Sequence, residues 1–395
     1  MPFGRSAEYA PAMERLSSSE ITILLLGLGV LLTTARLLGE LAQRWGQPAV
    51  LGEMLAGILL GPTVLGTLAP SVNHYLFPET GAAALAMDGF STLAITLFLL
   101  VAGIEVDLST MWRQGRAAAI IGLAGIAVPF VLGYAVAVQL PTFIPEALAN
   151  GDADVRLFAL FFATALSISA LPVIARTLMD LALYRSDLGM TVIAAAILND
   201  LAGWIIFAII LSLMGTTAGH AASVPGTIAL TLGFSLLMLT VGRWAIHRCL
   251  PWIQAHTSWP AGVLAFALCV ALFCAAFTEW IGVHAIFGAF LAGVAIGDSP
   301  HLREHTRTII GDFVSFIFAP VFFAGIGLRV NFAEEFHLPL VLLVLAIACV
   351  GKVVGCGLGA RSAGLARREA WAIGFGMNAR GAMEIILGLP RCSMG

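Results

Sequence analysis

Charge is what this sequence has little of. Only 11% of its 395 residues are charged and 59% are apolar, with a mean hydropathy of +0.97. A soluble domain carries about 25% charged residues, so a chain this long and this poor in charge cannot clothe itself for water. Lysine is almost missing: Lys352 is the single one, and every other basic residue is arginine. A net charge of −3 disfavours nucleic-acid binding, which draws on a basic surface. Six cysteines in 395 residues are too dilute for a disulfide scaffold, and with no C-x-x-C spacing to suggest metal or redox chemistry their expected role is packing. The first twenty residues are mixed and polar, with no cleavable signal. What fills the chain instead is long apolar runs, the mark of an all-α polytopic membrane protein.

A span needs about 20 mostly apolar residues. On that scale the sequence predicts helices near 20–38, 50–66, 85–106, 117–140, 155–180, 188–214, 226–246, 259–282, 284–298, 308–329, 338–360 and 369–389. Arginines crowd the odd-numbered loops, from Arg36 and Arg44 to Arg361, Arg367 and Arg368, against Arg156 and Arg329 in the even ones. By the positive-inside rule the N-terminal tail, 1–19, is expected outside, and the expected location is a plasma membrane of the bacterial inner-membrane kind, crossed many times.

The chain repeats itself. GEMLAGILLG at 52–61 matches GAFLAGVAIG at 288–297, and GIEVDL at 103–108 matches GLRVNF at 327–332. These pairs equate the second predicted helix with the ninth and the third with the tenth. An offset of seven helices is odd, so the copies insert with opposite orientation, as in many secondary transporters. The expected organisation is one transport unit, 20–390, with repeats of about 20–214 and 259–390 linked by 215–258. The repeat also implies a thirteenth helix. The sequence ends in LGLPRCSMG where it should stand, which reads as truncation to about 12 of 13 helices, with no soluble regulatory domain.

A charge at mid-membrane costs at least about 2.5–3.5 kcal/mol, so each one needs a reason. Asp200 sits near the middle of TVIAAAILNDLAGWIIFAIIL, with the Asn199 amide beside it. Lys352 lies well inside the eleventh helix, too far from either end to snorkel. In LFFATALSISALPVIARTL, Thr164, Ser167 and Ser169 precede Pro172, which must break the helix; hydroxyls can satisfy the backbone groups this frees. In the twelfth helix GFGMNARGAMEI loosens the backbone at Gly376, Asn378 and Gly381 around Arg380, which stands one turn from Glu384. Two interrupted helices at matching places in two repeats point to a midplane ion site. Arg380 and Glu384 fit compensation of broken-helix dipoles better than direct ion binding. Glu53, near the start of the second helix, reads as interfacial, Glu105 and Asp107 as solvated, and Glu279 has no evident role. HLREH at 301–305 matches an inverted zinc-protease pattern, but that motif needs a helix in a protected cleft with a further ligand. Here it falls in a loop between spans. No cofactor, resident metal or enzymatic activity is expected.

QPAVLGEMLAGILLGP, FLLVAGIEVDL, ATALSISALPVIA, the Asn199–Asp200 pair, FGAFLAGVAIG, PVFFAGIGLRV, GKVVGCGLGA and GMNARGAME together resemble the second family of monovalent cation:proton antiporters. The likeness runs in order over about residues 20–388. It implies a thirteen-helix fold with a dimerisation domain and a core of two crossing broken helices, a homodimer in the lipid bilayer, and elevator-like movement of the core. Carried over by position, Asp200 resembles the carboxylate that binds cation and proton, and Thr164, Ser167 and Ser169 the residues beside the ion. Lys352 resembles a core lysine that pairs, in electrogenic members, with the first acid of an Asp-Asp motif. Asn199 replaces that acid here, the arrangement of electroneutral exchangers. The substrates implied are Na+ or K+, with Li+ as a further cation, exchanged for H+. A transport-inactive membrane protein and a sodium-coupled organic-anion symporter of the same fold stand as alternatives.

Overall fold

The computed structural model describes residues 16–106, 108–143, 155–169, 174, 178, 183, 186–213, 224–258, 260–281, 285–332 and 338–379. Among them the regular structure is entirely helical. In chain order the longer helices are α1 (Ser18–Arg44), α2 (Ala49–Leu60), α3 (Ala82–Ile104), α4 (Leu108–Phe143), α5 (Val155–Ser167) and α6 (Asp187–Leu213), with short turns of helix at Leu65–Leu68 and Pro70–Leu76 between α2 and α3. Then come α7 (Val224–Leu237, continued by a π-helical turn at Met238–Gly242 to His256), α8 (Ala261–Trp280), α9 (Ala285–Gly297), α10 (Glu304–Gly327), α11 (Leu338–Ser362) and α12 (Arg367–Gly376). Nine helical stretches among the described residues are long and apolar enough to cross a membrane; α5 and α9 are shorter. Leu25, Val131, Phe273 and Leu358 are all more than half exposed, at 65%, 65%, 75% and 59%. Large side chains turned outward on long apolar helices are faces made for lipid. The chain is a multi-pass membrane protein.

Several helices outrun the hydropathy reading. The first continues to Arg44 because its last turns are amphipathic and Arg36 pairs with Glu40 one turn on, at 3.3 Å. Its start lies at Ser18, fixed by a capping box: Ser17 N–H donates to Glu20 Oε2 at 2.8 Å and Glu20 N–H to Ser17 Oγ at 3.3 Å. In α4 a residue with positive φ, Gly115 at 53°, separates the polar turn after Leu108 from the apolar span that follows.

The chain divides into two compact units, Met1–Ala94 with Ala319–Glu335, and Ile95–Phe318 with Phe336–Gly395. In the first, Leu31 and Ala35 of α1, Ala56 of α2, and Val321 and Ala324 of α10 form a buried cluster. A Cβ on Gly57 would strike the Ala324 carbonyl and the Gly327 Cα, so α2 and α10 meet backbone to backbone. Glu53, which its place near a helix start had made interfacial, is 4% exposed and packs beside Gly39. Asp88 holds Arg329 in an ion pair.

The second unit repeats that contact with other residues. A Cβ on Gly293 of α9 would strike the Leu100 carbonyl and the Gly103 Cα of α3. α9 is buried from Ile286 to Gly297, and both of its ends are met by side chains. Both of those side chains are charged. Glu279 Oε2 accepts from the Ala285 N–H at 2.8 Å, and Arg307 Nη2 donates to the Gly297 carbonyl at 2.7 Å. An acid at the N-terminus and a base at the C-terminus also suit the helix dipole. α4 is the hub of this unit, packed by α5, α6 and α11. The glycines at 351, 355 and 359 of α11 recur every fourth residue. A Cβ on Gly355 would come within 2.7 Å of the Ala124 carbonyl oxygen, and one on Gly359 within 3.0 Å of the Ile121 Cα. This close approach carries the buried Lys352 inward, against α4.

Candidate functional site

α5 ends at Ser167, and Ile168 and Ser169 leave the helical path. Pro172, the residue expected to force the break, lies outside the described residues. The hydroxyls before the break turn back on their own helix: Thr164 Oγ1 donates to the Leu160 carbonyl at 2.8 Å and Ser167 Oγ to that of Ala163 at 2.6 Å. Both side chains are buried. Where the helix stops, the Ser167 carbonyl and the Ser169 N–H lose their intrahelical partners and must be satisfied otherwise.

Two side chains, Asn199 and Lys352, meet that need. Asn199 of α6 spans the break with its amide: Oδ1 accepts from the Ser169 N–H at 3.0 Å, and Nδ2 donates to the Ser167 carbonyl at 3.3 Å. It replaces the peptide hydrogen bonds that the helix gave up. Lys352 of α11 donates from Nζ to the same Ser167 carbonyl, and to the Gly125 carbonyl of α4 at 3.1 Å. Ser169 Oγ donates to the Met377 carbonyl at 2.9 Å, just past the end of α12. One turn along α6 from Asn199, a Cβ on Gly203 would come within 2.6 Å of Ile168 Cγ1, so α6 can lie close against the break.

Asp200 follows Asn199 on α6. It is 3% exposed, with Oδ1 wholly enclosed. Asn199 and Lys352 are 0% and 1% exposed. Burying an acid, an amide and an ammonium together is costly unless each is hydrogen-bonded, and Asn199 and Lys352 are both held by named backbone groups. The site thus consists of a buried carboxylate, two helix ends tied together through Ser169 and Met377, and a fixed ammonium. Backbone carbonyls and a carboxylate are hard oxygen donors, the kind that replaces the hydration shell of an alkali cation.

Of the residues singled out from sequence, Thr164, Ser167, Ser169, Asn199, Asp200 and Lys352 fall in this one unit, and the break gathers Ser167, Ser169, Asn199 and Lys352 directly. Arg380, Glu384, Gly381 and Asp107 lie outside the described residues. Gly125 and Met377 were missed, since a backbone carbonyl leaves no mark in sequence. The spacing GKVVGCGLG was the available hint that α11 approaches a neighbour closely. His301 lies in a turn ahead of α10 and His305 in its first turn, so HLREH does not form the single helix that its motif requires.

Ser169→Ala is expected to destabilise the protein by about 1–2 kcal/mol, because the buried Met377 carbonyl loses its donor. Ser167→Ala should cost less, since its hydroxyl only bonds back within α5. Thermal unfolding of the two variants, with and without added cation, checks the order; equal losses would mean that the Ser169–Met377 tie does not hold the site.

Residues 29–389 match the family described as "Sodium/hydrogen exchanger, transmembrane". The chain is 31% identical to the Na(+)/H(+) antiporter NhaS4 of Synechocystis sp., over 94% of this chain and 90% of that protein. It is 32% identical to cation/H(+) antiporter 18 of Arabidopsis thaliana and 29% to K(+)/H(+) antiporter 1 of Saccharomyces cerevisiae. Those alignments cover 93% and 94% of this chain but 45% and 43% of the relatives, so the chain spans less than half their length. The sodium proton antiporter MjNhaP1 of Methanocaldococcus jannaschii shares the fold, with a TM-score of 0.67 at 17% identity over 94% of this chain and 86% of that one. The chain belongs to the transmembrane sodium/hydrogen exchanger family.

Proposed function

We propose that this member of the family exchanges a monovalent cation, Na+ or K+, for protons across the membrane, with Asp200 as the shared binding group. The observation that carries the reading is the buried Asp200 on the helix whose preceding residue, Asn199, bridges the α5 break. A proton and a dehydrated alkali cation compete for one carboxylate. Either one neutralises it, and a neutral site crosses an apolar barrier at far lower cost than a charged one. Movement of the loaded site alone, with access from each side in turn, yields antiport without a further part.

The matching contacts of Gly57 and Gly293 support the inverted repeat. Gly57 meets Ala324 and Gly327, while Gly293 meets Leu100 and Gly103. Under the sequence repeat Gly57 corresponds to Gly293, and Gly103 to Gly327. One backbone contact built twice from exchanged partners is what a repeat with internal two-fold symmetry produces. We read the second unit's site as the part that moves, in an elevator-like manner, within a homodimer whose N-terminus lies outside the inner membrane. Thr164 remains in the ion-facing set through its place one turn before Ser167, and Arg380 and Glu384 as charges that compensate the dipoles of α5 and α12.

Everted vesicles with a preformed pH gradient test the function. Adding sodium, potassium or lithium should release protons, read as acridine-orange dequenching, and the order of half-saturating concentrations gives the selectivity. A monodisperse protein that gives no dequenching with any of the three would support the transport-inactive reading. Uptake of an organic anion without proton movement would support the symporter.

A further inference from the structure

Besides the buried side that carries Lys352, α11 presents an exposed face. Val350, Val354 and Leu358 are 58%, 40% and 59% exposed, each one residue ahead of the glycines that pack on α4. α12 returns beside this face, and the two helices leave a cleft of about 240 Å³ between them. Its walls are apolar: Val353, Val354, Gly357 and Leu358 from α11, with Ala370 and Trp371 from α12. Its mouth, at the end of the span, carries Arg361 and Arg367, and Arg368 follows. All three arginines are exposed. Arg361 spends one donor on the Leu365 carbonyl, at 2.8 Å, and keeps the rest of its fork for another partner. The neighbouring acid, Glu369, is turned to the Ala366 N–H at 2.8 Å. Trp371 is half exposed and stacks on Phe375, ring centroids 6.0 Å apart, where an amphipathic ring suits the membrane–water boundary.

We infer that this cleft binds an anionic glycerophospholipid, with its phosphodiester on Arg361 and Arg367 and an acyl chain between α11 and α12. The charge decides between occupants. A zwitterionic lipid brings no net charge to the arginines, and a soluble anion leaves the apolar walls unfilled, whereas an anionic lipid satisfies both parts. Basic pockets between membrane helices are a recurrent site for such headgroups. Gly357 admits the chain: the nearest atom that a Cβ there would meet is the Ala370 carbonyl oxygen, at 3.6 Å, so a larger side chain would grow into the cleft. The proposal rests on membrane embedding alone and does not depend on the exchange reaction. Because α11 also carries Lys352, occupancy of the cleft would bear on the helix that braces the site.

The test uses the full chain purified in detergent, with dioleoylphosphatidylglycerol or dioleoylphosphatidylcholine added and retained lipid counted by native mass spectrometry. The protein should retain the anionic lipid roughly tenfold over the zwitterionic one. Combined Arg361→Gln and Arg367→Gln should remove that preference, and Arg361→Lys with Arg367→Lys should keep most of it. Gly357→Leu leaves the charges in place and should lower retention of both lipids, which keeps the proposal testable if the glutamine variant fails to fold. Equal retention of the two lipids overturns it. So does an unchanged preference in the glutamine variant, unchanged retention in Gly357→Leu, or equal stabilisation by inorganic phosphate alone. A photoreactive group on Gly357→Cys that labels residues 380–395 or a second copy, rather than lipid, places another occupant in the cleft and overturns it as well.

Discussion

Asp200→Asn is expected to abolish cation-dependent proton release while leaving a folded, monodisperse protein. The neighbour of Asp200, Asn199, is already engaged at both ends of its amide by the backbone of the α5 break, and an amide cannot take up or release a proton near neutral pH. Asparagine is close to aspartate in size and keeps an oxygen, so the packing around a residue that is 3% exposed is preserved. Losing the charge should if anything help the fold, since a charge at mid-membrane costs at least about 2.5–3.5 kcal/mol on insertion scales. The signature is therefore a pair of opposite changes: exchange falls to the level of empty vesicles, and the unfolding temperature holds or rises. A destabilised variant would mean that Asp200 is a structural acid tied to a neighbouring helix. A stable variant that still exchanges would pass the role to another carboxylate, with Glu384 the first to examine.

The interruption of the fifth helix could be read directly, because proline and a run of hydroxyls say in advance that a backbone ladder fails there. Lys352 was equally visible, as the one lysine of the chain placed far from either membrane face. What lysine and asparagine do at the break was not visible. Their partners include the backbone groups of Ser167, Ser169 and Gly125, and every residue has a backbone. Helix ends suffered for a different reason. Hydropathy falls off at the first charges, but α1 and the helix from Val224 to His256 continue as amphipathic turns beyond them. Glu53 shows the same weakness: its place near a helix start suggested an interface, while the packing of α2 beside α1 buries it. The proposed repeat rests, in the sequence, on strings of matching residues. That Gly57 and Gly293 each press on the backbone of a helix far away in sequence could be known only from the packing.

Exchange should run one for one and carry no net charge. Asn199 cannot ionise, which leaves Asp200 to accept one proton or one monovalent cation per turn. The competing possibility is that Lys352 gives up a proton when the cation arrives, as a lysine held only by an acid would do once the cation takes that acid. Here the ammonium donates to the Ser167 and Gly125 carbonyls. Those groups are neutral and stay in place whether Asp200 holds a proton or a cation, so the lysine has anchors that the cation does not remove. The measurement is cation-driven proton flux in proteoliposomes, with the membrane potential set by an ion the protein does not carry. If one net charge moved per cycle, about 2.3 kcal/mol per 100 mV would enter the balance and shift the final cation gradient roughly fiftyfold. An end point that stays put as the potential is varied is the expected result. A shift of that size would overturn the electroneutral reading and make Lys352 a proton carrier. Lys352→Met should then restore an end point independent of potential, because the second proton would have lost its site.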